Sequence, residues 1–396
     1  MSCGHEPENL ESLFVHRCGE LPVNTQGVHA LIIGTSAYRP AEPLPPSPTA
    51  RERKRHEMAS NENIEGAALG AANFARFLRD LYRDPAAAPL KTVRLLLGPT
   101  AHETQTLRAD GFSWQDASIG NVDRALKGWV DDCDHGQVGI AYFAGHGIIT
   151  PDGASWVLLG ECNNTRDDPF EAAINVLCVR QALEQTSAYF TVFVSDCCAV
   201  YENRIKRTPA APAAGTAGIG PTLYSGISFP GKYELTISAA REGGRAYVIE
   251  GEGTVLSQSL LPLLEKAGSV VRATGSNDWF FAITREPLEE GLLTAMEIEH
   301  VDQQPRVKGY HPPSGIHRPT PPPTFDLALV NRELDPVKCH VFVTGGGHVR
   351  SETILPGQQI SLRLAAGSYT VSVDSADVPV PPKTVDLIGP LTIELP

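Results

Sequence analysis

The sequence lacks long hydrophobic runs, and it has too few basic residues to offset its acidic ones. Its 33 lysines and arginines stand against 46 aspartates and glutamates, which gives a formal net charge of −13. That balance argues against a protein that coats nucleic acid, because phosphate binding needs a positive surface. The longest uncharged stretch, 208–231, is rich in proline and glycine and poor in large apolar side chains, so it predicts no membrane span.

Paired cysteine spacings and a leader-like segment are also missing. The eight cysteines are scattered along the chain, and none falls in the CxxC spacing that is typical of zinc sites. The first residues, MSCGHEPENLESLF, contain early acids and no apolar segment, so no secretory signal is expected. An acidic chain with free thiols predicts a cytoplasmic protein in a reducing compartment. No motif indicates a metal or another cofactor.

Apolar residues, glycine and proline are what the sequence has in plenty. Apolar residues make up 42% of the chain, which is enough to bury a sizeable core, and the length of 396 residues predicts two or three domains. The 36 glycines and 32 prolines form about 17% of the chain, against a usual share of about 12%. This excess is expected to lie in particular loops and linkers.

Short apolar runs alternate with helical periodicity through most of the chain. Strands are predicted at Val28–Ile33, Thr92–Leu97, Val138–Ala144, Tyr189–Val194, Glu234–Ser238 and Trp279–Ile283. Helices are predicted at Ile64–Tyr82, Val122–Cys133, Val179–Gln185, Leu256–Lys266 and Pro287–His300. The alternation predicts an α/β fold with a doubly wound, mostly parallel sheet that is covered by helices on both faces.

The pattern changes after a proline-rich connector at 301–324. Apolar and polar residues alternate strictly at 358–373 and again at 391–395. A period of two with glycine and proline turns predicts antiparallel strands that have one face in water. Residues 337–396 are therefore predicted to form a small all-β, sandwich-like accessory domain.

Two predicted strand ends carry the residues with the clearest chemical use. The third strand runs into YFAGHG, which contains His146, and the fourth runs into SDCC, which ends at Cys198. The carboxyl ends of parallel strands meet at one edge of a sheet, with neighbouring strands about 4.8 Å apart. An imidazole within reach of a thiol can activate it as a nucleophile that attacks a carbonyl. Taken singly, either motif would fit an ordinary loop histidine or a structural cysteine.

Together, YFAGHG and SDCC resemble the motifs of the caspase-like cysteine peptidases, especially the metacaspase and bacterial caspase-homologue branch. ISAAREGGRAY resembles the start of that family's small subunit, and FDLALV at 325–330 resembles its final stretch. The resemblance implies a caspase-like peptidase domain at 28–331 after an N-terminal extension at 1–27. Within it, the large-subunit part would cover about 28–200, the linker 201–232 and the small-subunit part 233–331.

The resemblance also implies roles for single residues. His146 matches the catalytic base and Cys198 the nucleophile, and the backbone N–H groups of Gly147 and Cys198 would form the oxyanion hole. Cys197 is interpreted as structural. The family typically has no essential third side chain, which fits the lack of an obvious orienting acid here.

Asp196 lies two residues before the implied nucleophile and is expected to point the same way along the strand end. An acid at this position selects Arg or Lys before the scissile bond in metacaspase-like enzymes, so the resemblance implies a basic preference. The family's first helix usually carries Asn-Asp, where this chain has Asn73-Phe74, and AVY follows the cysteine instead of His-Ser-Gly. Glu242 is a candidate for the missing charge, with a plain surface carboxylate as the alternative.

The segment between the fourth and fifth strands contains Arg204, Lys206 and Arg207 beside an uncharged tract. Such a loop joins the subunits in this family, and the resemblance implies activating cleavage here, by the enzyme itself or by an upstream protease. The leading hypothesis is a cysteine endopeptidase that acts on protein or peptide substrates with basic residues. The alternative is a catalytically silent caspase-like adaptor that signals by binding, and a metal hydrolase has little support because no ligand spacing is present.

Overall fold

The computed structural model describes residues 16–17, 26–39, 46–49, 53, 62–81, 88–150, 155–164, 169–201, 232–249, 251–272, 279–299, 302–319, 321–332, 337–343, 348–374 and 381–395. They belong to two compact units, one within 1–261 and 292–310 and the other within 262–291 and 311–396. In the described ranges, no helix is long and apolar enough to cross a membrane.

The helices are α1 (Ala67–Leu81), α2 (Ala101–Ala109), α3 (Ile119–Asp132), α4 (Val176–Glu184), α5 (Val255–Lys266) and α6 (Arg285–Ile298). The strands of the first half are β1 (His16–Arg17), β2 (Val28–Thr35), β3 (Leu90–Gly98), β4 (Gln115–Asp116), β5 (Val138–Gly145), β6 (Gly147–Ile149), β7 (Ser155–Leu158), β8 (Ala173–Asn175), β9 (Phe190–Cys197) and β10 (Val200–Tyr201). Those that follow are β11 (Tyr233–Ser238), β12 (Val248–Ile249), β13 (Gly253–Thr254), β14 (Gly268–Arg272), β15 (Trp279–Ile283), β16 (Arg306–Tyr310), β17 (Thr324–Asn331), β18 (Val337–Val343), β19 (His348–Ile354), β20 (Gln359–Ala365), β21 (Gly367–Asp374), β22 (Lys383–Leu387) and β23 (Leu391–Leu395).

The main sheet of the first unit has the order β1-β3-β2-β5-β9-β11-β16, with β4 beside β3. Its central strands β3, β2, β5, β9 and β11 run parallel to one another. The outer strands β1 and β16 pair antiparallel with their neighbours. The predicted α/β fold with a mostly parallel sheet is confirmed.

The apolar runs become interior strands because side chains cover both faces of the sheet. Every residue of β2 is buried. Adjacent residues of β5 point to opposite faces: Phe143 joins a core with Trp129 of α3, whereas Tyr142 stacks on Phe74 of α1 with ring centroids 4.6 Å apart. A smaller sheet of four strands, in the order β10-β6-β7-β8, follows the carboxyl ends of β5 and β9.

The sheet differs from the prediction at its last strand. Trp279–Ile283 does form a strand, β15, but it pairs antiparallel with β14 in a separate two-stranded sheet. The outer strand of the main sheet is β16, which lies in the predicted proline-rich connector. Among its residues only Val307 is buried. An edge strand that is mostly exposed needs no apolar run, so periodicity gave no sign of it.

The second unit contains a three-stranded sheet, β20-β17-β23, and a four-stranded sheet, β19-β18-β21-β22. Leu327, Val341 and Ile393 belong to the core that these strands share. Residues 325–330, which resemble the last stretch of the peptidase family, lie in β17 and pair with β20 and β23. The strand pairing of this unit therefore begins before the predicted boundary at 337. Burial does not alternate along β17, so its sequence does not show which strands pair with it.

Candidate active site

His146 and Cys198 lie at breaks between two sets of paired strands. β5 pairs in parallel with β9, and its last residue, Gly145, is opposite Cys197. β6 begins directly after His146 and pairs in parallel with β10, which begins two residues after Cys198. Both residues therefore lie at the same edge of the main sheet, directly after neighbouring strands.

Gly147 marks a close approach between the two motifs. A Cβ atom on this residue would overlap the carbonyl oxygen of Cys198 and the Cβ of Cys197. Any side chain at this position would push the two segments apart. The glycine after His146 therefore lets its strand end pack directly on the segment that carries the thiol.

The ring of His146 is held by two other loops. Its Nε2 lies 2.8 Å from the carbonyl oxygen of Glu62. Its backbone N–H donates to the Tyr38 hydroxyl at 2.8 Å, and the Tyr38 ring is tilted against the imidazole with centroids 4.6 Å apart. A carbonyl oxygen only accepts hydrogen bonds, so Nε2 carries the proton and Nδ1 is the basic nitrogen of the neutral ring.

Burial controls the ionisation of this histidine and of its tyrosine neighbour. Burial lowers the pKa of His146 because the imidazolium loses hydration, and the bond to the Glu62 carbonyl opposes the shift. The imidazole is therefore neutral near pH 7. Burial raises the pKa of Tyr38 well above its usual value, so its hydroxyl stays protonated.

A buried carboxylate fixes the two loops that contact His146. Glu103 accepts hydrogen bonds from the Ser36 hydroxyl and from the Gly66 N–H, both at 2.8 Å. The same carboxylate completes the capping box at the start of α2. Ser36 lies two residues before Tyr38, and Gly66 lies four residues after Glu62, so the carboxylate holds both segments that contact His146. The position of the imidazole thus depends on a buried polar network.

Cys198 is half-buried, and its thiol lies against the backbone of Ala246. The Ala246 N–H donates to Sγ at 3.4 Å, and the S–H lies 3.6 Å from the Ala246 carbonyl oxygen. The thiol and the imidazole of His146 are not hydrogen-bonded to each other, although both are in the described part of the chain. Of the six described cysteines, Cys198 alone is not buried.

The neighbouring cysteine has a different environment. Cys197 is buried, and its S–H donates to the carbonyl oxygen of Phe143 at 3.4 Å. Burial raises the pKa of the Cys197 thiol well above its usual value, and the nearby Asp196 adds to the shift. The accessible thiol of the pair is therefore that of Cys198.

Asp196 is 2% exposed, and its Oδ2 accepts from the hydroxyls of Tyr142, at 2.5 Å, and Thr254. Its Oδ1 is buried and has no hydrogen-bond partner among the described residues. Burial raises the pKa of Asp196 to about 6, while the bonds from Thr254 and Tyr142 lower it. Phe74, where the chain departs from the family's Asn-Asp pattern, stacks on Tyr142.

Thr254 connects Asp196 to the start of α5. Its hydroxyl donates to Asp196 and accepts from the Ser257 N–H at 3.1 Å, so it acts as a helix cap. The turn lies close to α1, because a Cβ on Gly70 would come within 3.0 Å of the Thr254 hydroxyl oxygen. The glycine therefore leaves room for the threonine beside the buried carboxylate.

A cavity of about 270 Å³ opens beside Cys198. Glu242, which is exposed, belongs to its lining, together with Ser195 and Cys197. Asp196 does not belong to the lining of this cavity. It alternates with Ser195 and Cys197 along β9, so it points to the opposite face of the sheet. Because β9 ends at Cys197, the alternation used in the prediction stops one residue short of Cys198.

Some predicted residues cannot be placed, and some residues of the site were not predicted. Arg204, Lys206 and Arg207 lie outside the described residues. Tyr38, Glu62, Glu103 and Thr254 contribute to the site without having been predicted. The spacing of Thr100 and Glu103 is a recognisable capping-box signal, and Thr254 stands before a helical run. Glu62 contributes only its carbonyl oxygen, for which no residue type is a signal.

A family model and similar solved structures place the chain among known proteins. Residues 28–274, more than half of the chain, match the model of the caspase domain family. Similar solved structures include protein GSU0716 from Geobacter sulfurreducens, with a TM-score of 0.40 and 13% identity over 74% of this chain and 98% of that one. Caspase-1 from Spodoptera frugiperda gives a TM-score of 0.38 and 10% identity over 74% and 91%. No curated protein matches. The chain belongs to the caspase domain family of peptidases.

Proposed function

We propose that the chain is a cysteine endopeptidase in which Cys198 is the nucleophile and His146 the general base. The observation that carries this proposal is the strand pairing on both sides of the two residues, which brings Gly147 against the Cβ of Cys197 and the carbonyl group of Cys198. Family membership supports a peptidase that acts on protein substrates. Beyond family membership, we propose the Cys198–His146 dyad and a preference for Arg or Lys before the scissile bond.

The geometry of His146 supports a definite proton path. Since Nε2–H is held by the Glu62 carbonyl, Nδ1 takes the proton from the Cys198 thiol. The thiolate attacks the scissile carbonyl carbon, and the N–H groups of Gly147 and Cys198 donate to the oxyanion. The imidazolium then protonates the leaving amine, an acyl-enzyme remains, and water activated by Nδ1 releases the acid.

A preference for Arg or Lys before the scissile bond is part of the proposal. Asp196 is a buried carboxylate with one oxygen that lacks a partner among the described residues. A buried charge of this kind is stabilised by a cationic donor. A guanidinium or ammonium group from the substrate would supply that donor at Oδ1. Glu242, at the cavity beside Cys198, adds negative charge near the thiol.

Hydrolysis of matched fluorogenic peptides that end in Arg, Lys or Asp tests the function directly. We expect turnover of the Arg and Lys peptides and at least 100-fold lower kcat/KM for the Asp peptide, since Asp196 would repel an acidic side chain. A preference for the Asp peptide contradicts the assigned specificity. No turnover of any peptide, before and after limited proteolysis, contradicts the peptidase and favours the silent adaptor.

Processing of the linker is a separate prediction. β10 ends at Tyr201 and β11 begins at Tyr233, so the basic residues Arg204, Lys206 and Arg207 lie between the segment that carries Cys198 and the next strand of the sheet. We expect incubated wild-type protein to be cleaved after one of these residues into two fragments. The Cys198→Ala protein should stay intact. Intact-mass analysis measures both. Wild-type protein that cleaves peptides yet stays at full length contradicts self-processing, and cleavage of the Cys198→Ala protein by added wild type would show processing between molecules.

A further inference from the structure

The cavity beside Cys198 is positive in a protein that is strongly acidic overall. Four basic side chains, Arg180, Arg241, Arg306 and Lys308, line it, against two acidic ones. One of the acids, Glu234, is paired with Arg180. Arg241, Arg306 and Lys308 form no ion pair within the part of the chain that the structure describes. The lining thus keeps an excess of positive charge, whereas the whole chain has a net charge of −13.

Serine and threonine residues are paired with two of these basic residues across neighbouring strands. Ser195 of β9 is opposite Ser238 of β11, and Ser238 is opposite Arg306 of β16. In the next row, Thr236 of β11 is opposite Lys308. Residues two apart on a strand share a face, so both rows present their side chains to the same side of the sheet. All five residues belong to the lining of the cavity.

We propose that this cavity binds a small anion that carries phosphate or carboxylate groups. Hydroxyl and guanidinium groups are strong donors to such oxygens, and an ammonium group adds charge. The volume of about 270 Å³ lies just below the usual range for sites of drug-sized ligands, about 300–1,000 Å³, so the ligand is compact. The inference goes beyond the peptidase and does not require Cys198 to be catalytic.

The site has a consequence for the thiol. Cys198 and Ala199 belong to the same lining, so a bound anion shares its cavity with the residue that carries the thiol. A neighbouring negative charge disfavours the thiolate and slows its alkylation. Binding in the cavity should therefore change the alkylation rate of Cys198, whether or not the protein cleaves peptides. A small anion would in this way control the reactivity of the candidate nucleophile.

Calorimetric titration of the full-length protein with inorganic phosphate, pyrophosphate and succinate, at constant ionic strength, tests the proposal. We expect saturable binding of at least one probe, and the comparison of phosphate probes with succinate identifies the preferred oxyacid. The double variant Arg306→Ala/Lys308→Ala changes exposed side chains of an edge strand, and we expect a Kd at least 10-fold higher. Arg245→Ala is the matched control, because Arg245 is exposed in the same region but outside the lining, and its Kd should match the wild type.

A second readout locates the anion. With the best probe at saturation, we expect iodoacetamide to modify Cys198 at least threefold more slowly, as followed by mass spectrometry of the peptide that contains it. Absence of saturable binding by all three probes overturns the proposal. Binding that is unchanged in the double variant, or an unchanged rate of Cys198 modification, places the anion elsewhere and also overturns it.

Discussion

Replacing Cys198 with alanine is expected to lower kcat/KM for an Arg-ended peptide by about 10⁴-fold or more. The reason is that the thiolate forms the bond to the scissile carbonyl, and the oxyanion donors alone retain only a small share of the catalysis. The measurement is initial-rate hydrolysis by folded protein of each variant. Circular dichroism shows whether the fold is retained.

The neighbouring cysteine provides a matched control. Cys197 is buried, and burial raises the pKa of its thiol well above its usual value, so Cys197→Ala removes the same atom one residue away without removing the nucleophile. We expect its kcat/KM to stay within about 10-fold of the wild type. Equal losses for the two cysteines would mean that packing at the strand end, and not nucleophilic attack, explains the effect.

The histidine variant completes this prediction. His146→Ala should cost about as much as Cys198→Ala, and the double variant should cost no more than either single one, because residues that act as a unit are not additive. Losses that multiply in the double variant would contradict a working dyad. The thiol and the imidazole are not hydrogen-bonded to each other in the described chain, so comparing the single and double variants tests whether the two groups act together.

The second large effect concerns Asp196→Asn. We expect this change to lower kcat/KM for Arg and Lys peptides by about 30-fold or more, the cost of removing one partner of a buried charge pair, at about 2–5 kcal/mol. Peptides with a neutral residue before the scissile bond should lose far less. Glu242→Gln is the graded comparison: the carboxylate is exposed and its charge is screened by water, so we expect a loss of less than about 5-fold.

The same variant is expected to be more stable than the wild type at pH 7. The pKa of Asp196 is about 6 in the fold, against about 4 in an unfolded chain, so the folded protein holds the proton more tightly. Stability therefore falls as pH rises from about 4 to 6, and the full penalty above pH 6 is at most about 3 kcal/mol. Asn carries no charge to desolvate, so its advantage should vanish near pH 4.

Urea unfolding of both proteins at pH 4 and pH 7 measures this difference. In activity, kcat/KM of the wild type for the Arg peptide should rise as pH increases through about 6, because the ionised carboxylate is needed to bind the cation. The Asn variant should lack that step. An Asn variant that is less stable than the wild type at pH 7, with unchanged specificity, would assign Asp196 to the internal network with Tyr142 and Thr254.

The strands and the two motifs were predictable because they depend on local patterns. The buried runs of β5 and β9 indicate covered strands, and the glycines on both sides of His146 indicate an open strand end. Parallel order then follows from the alternation with helices, without any knowledge of contacts.

The surroundings of the motifs were not predictable, because they come from distant parts of the chain. Glu62 meets His146 through a carbonyl oxygen, which every residue has. β16 is an edge strand with a single buried residue, so its sequence resembles that of a loop. The direction of Asp196 relative to Cys198 depends on where β9 ends, and the rule of alternation does not reveal that end.

Covalent labelling with a substrate-like inhibitor identifies the nucleophile and its dependence on His146. A peptidyl-arginine acyloxymethyl ketone would be incubated with the wild-type protein, and peptide mass spectrometry would locate the adduct. We expect one adduct, on Cys198, which forms at least 100-fold more slowly in His146→Ala and is absent from Cys198→Ala. An adduct on Cys197, or labelling of Cys198 at the same rate without His146, would contradict this expectation.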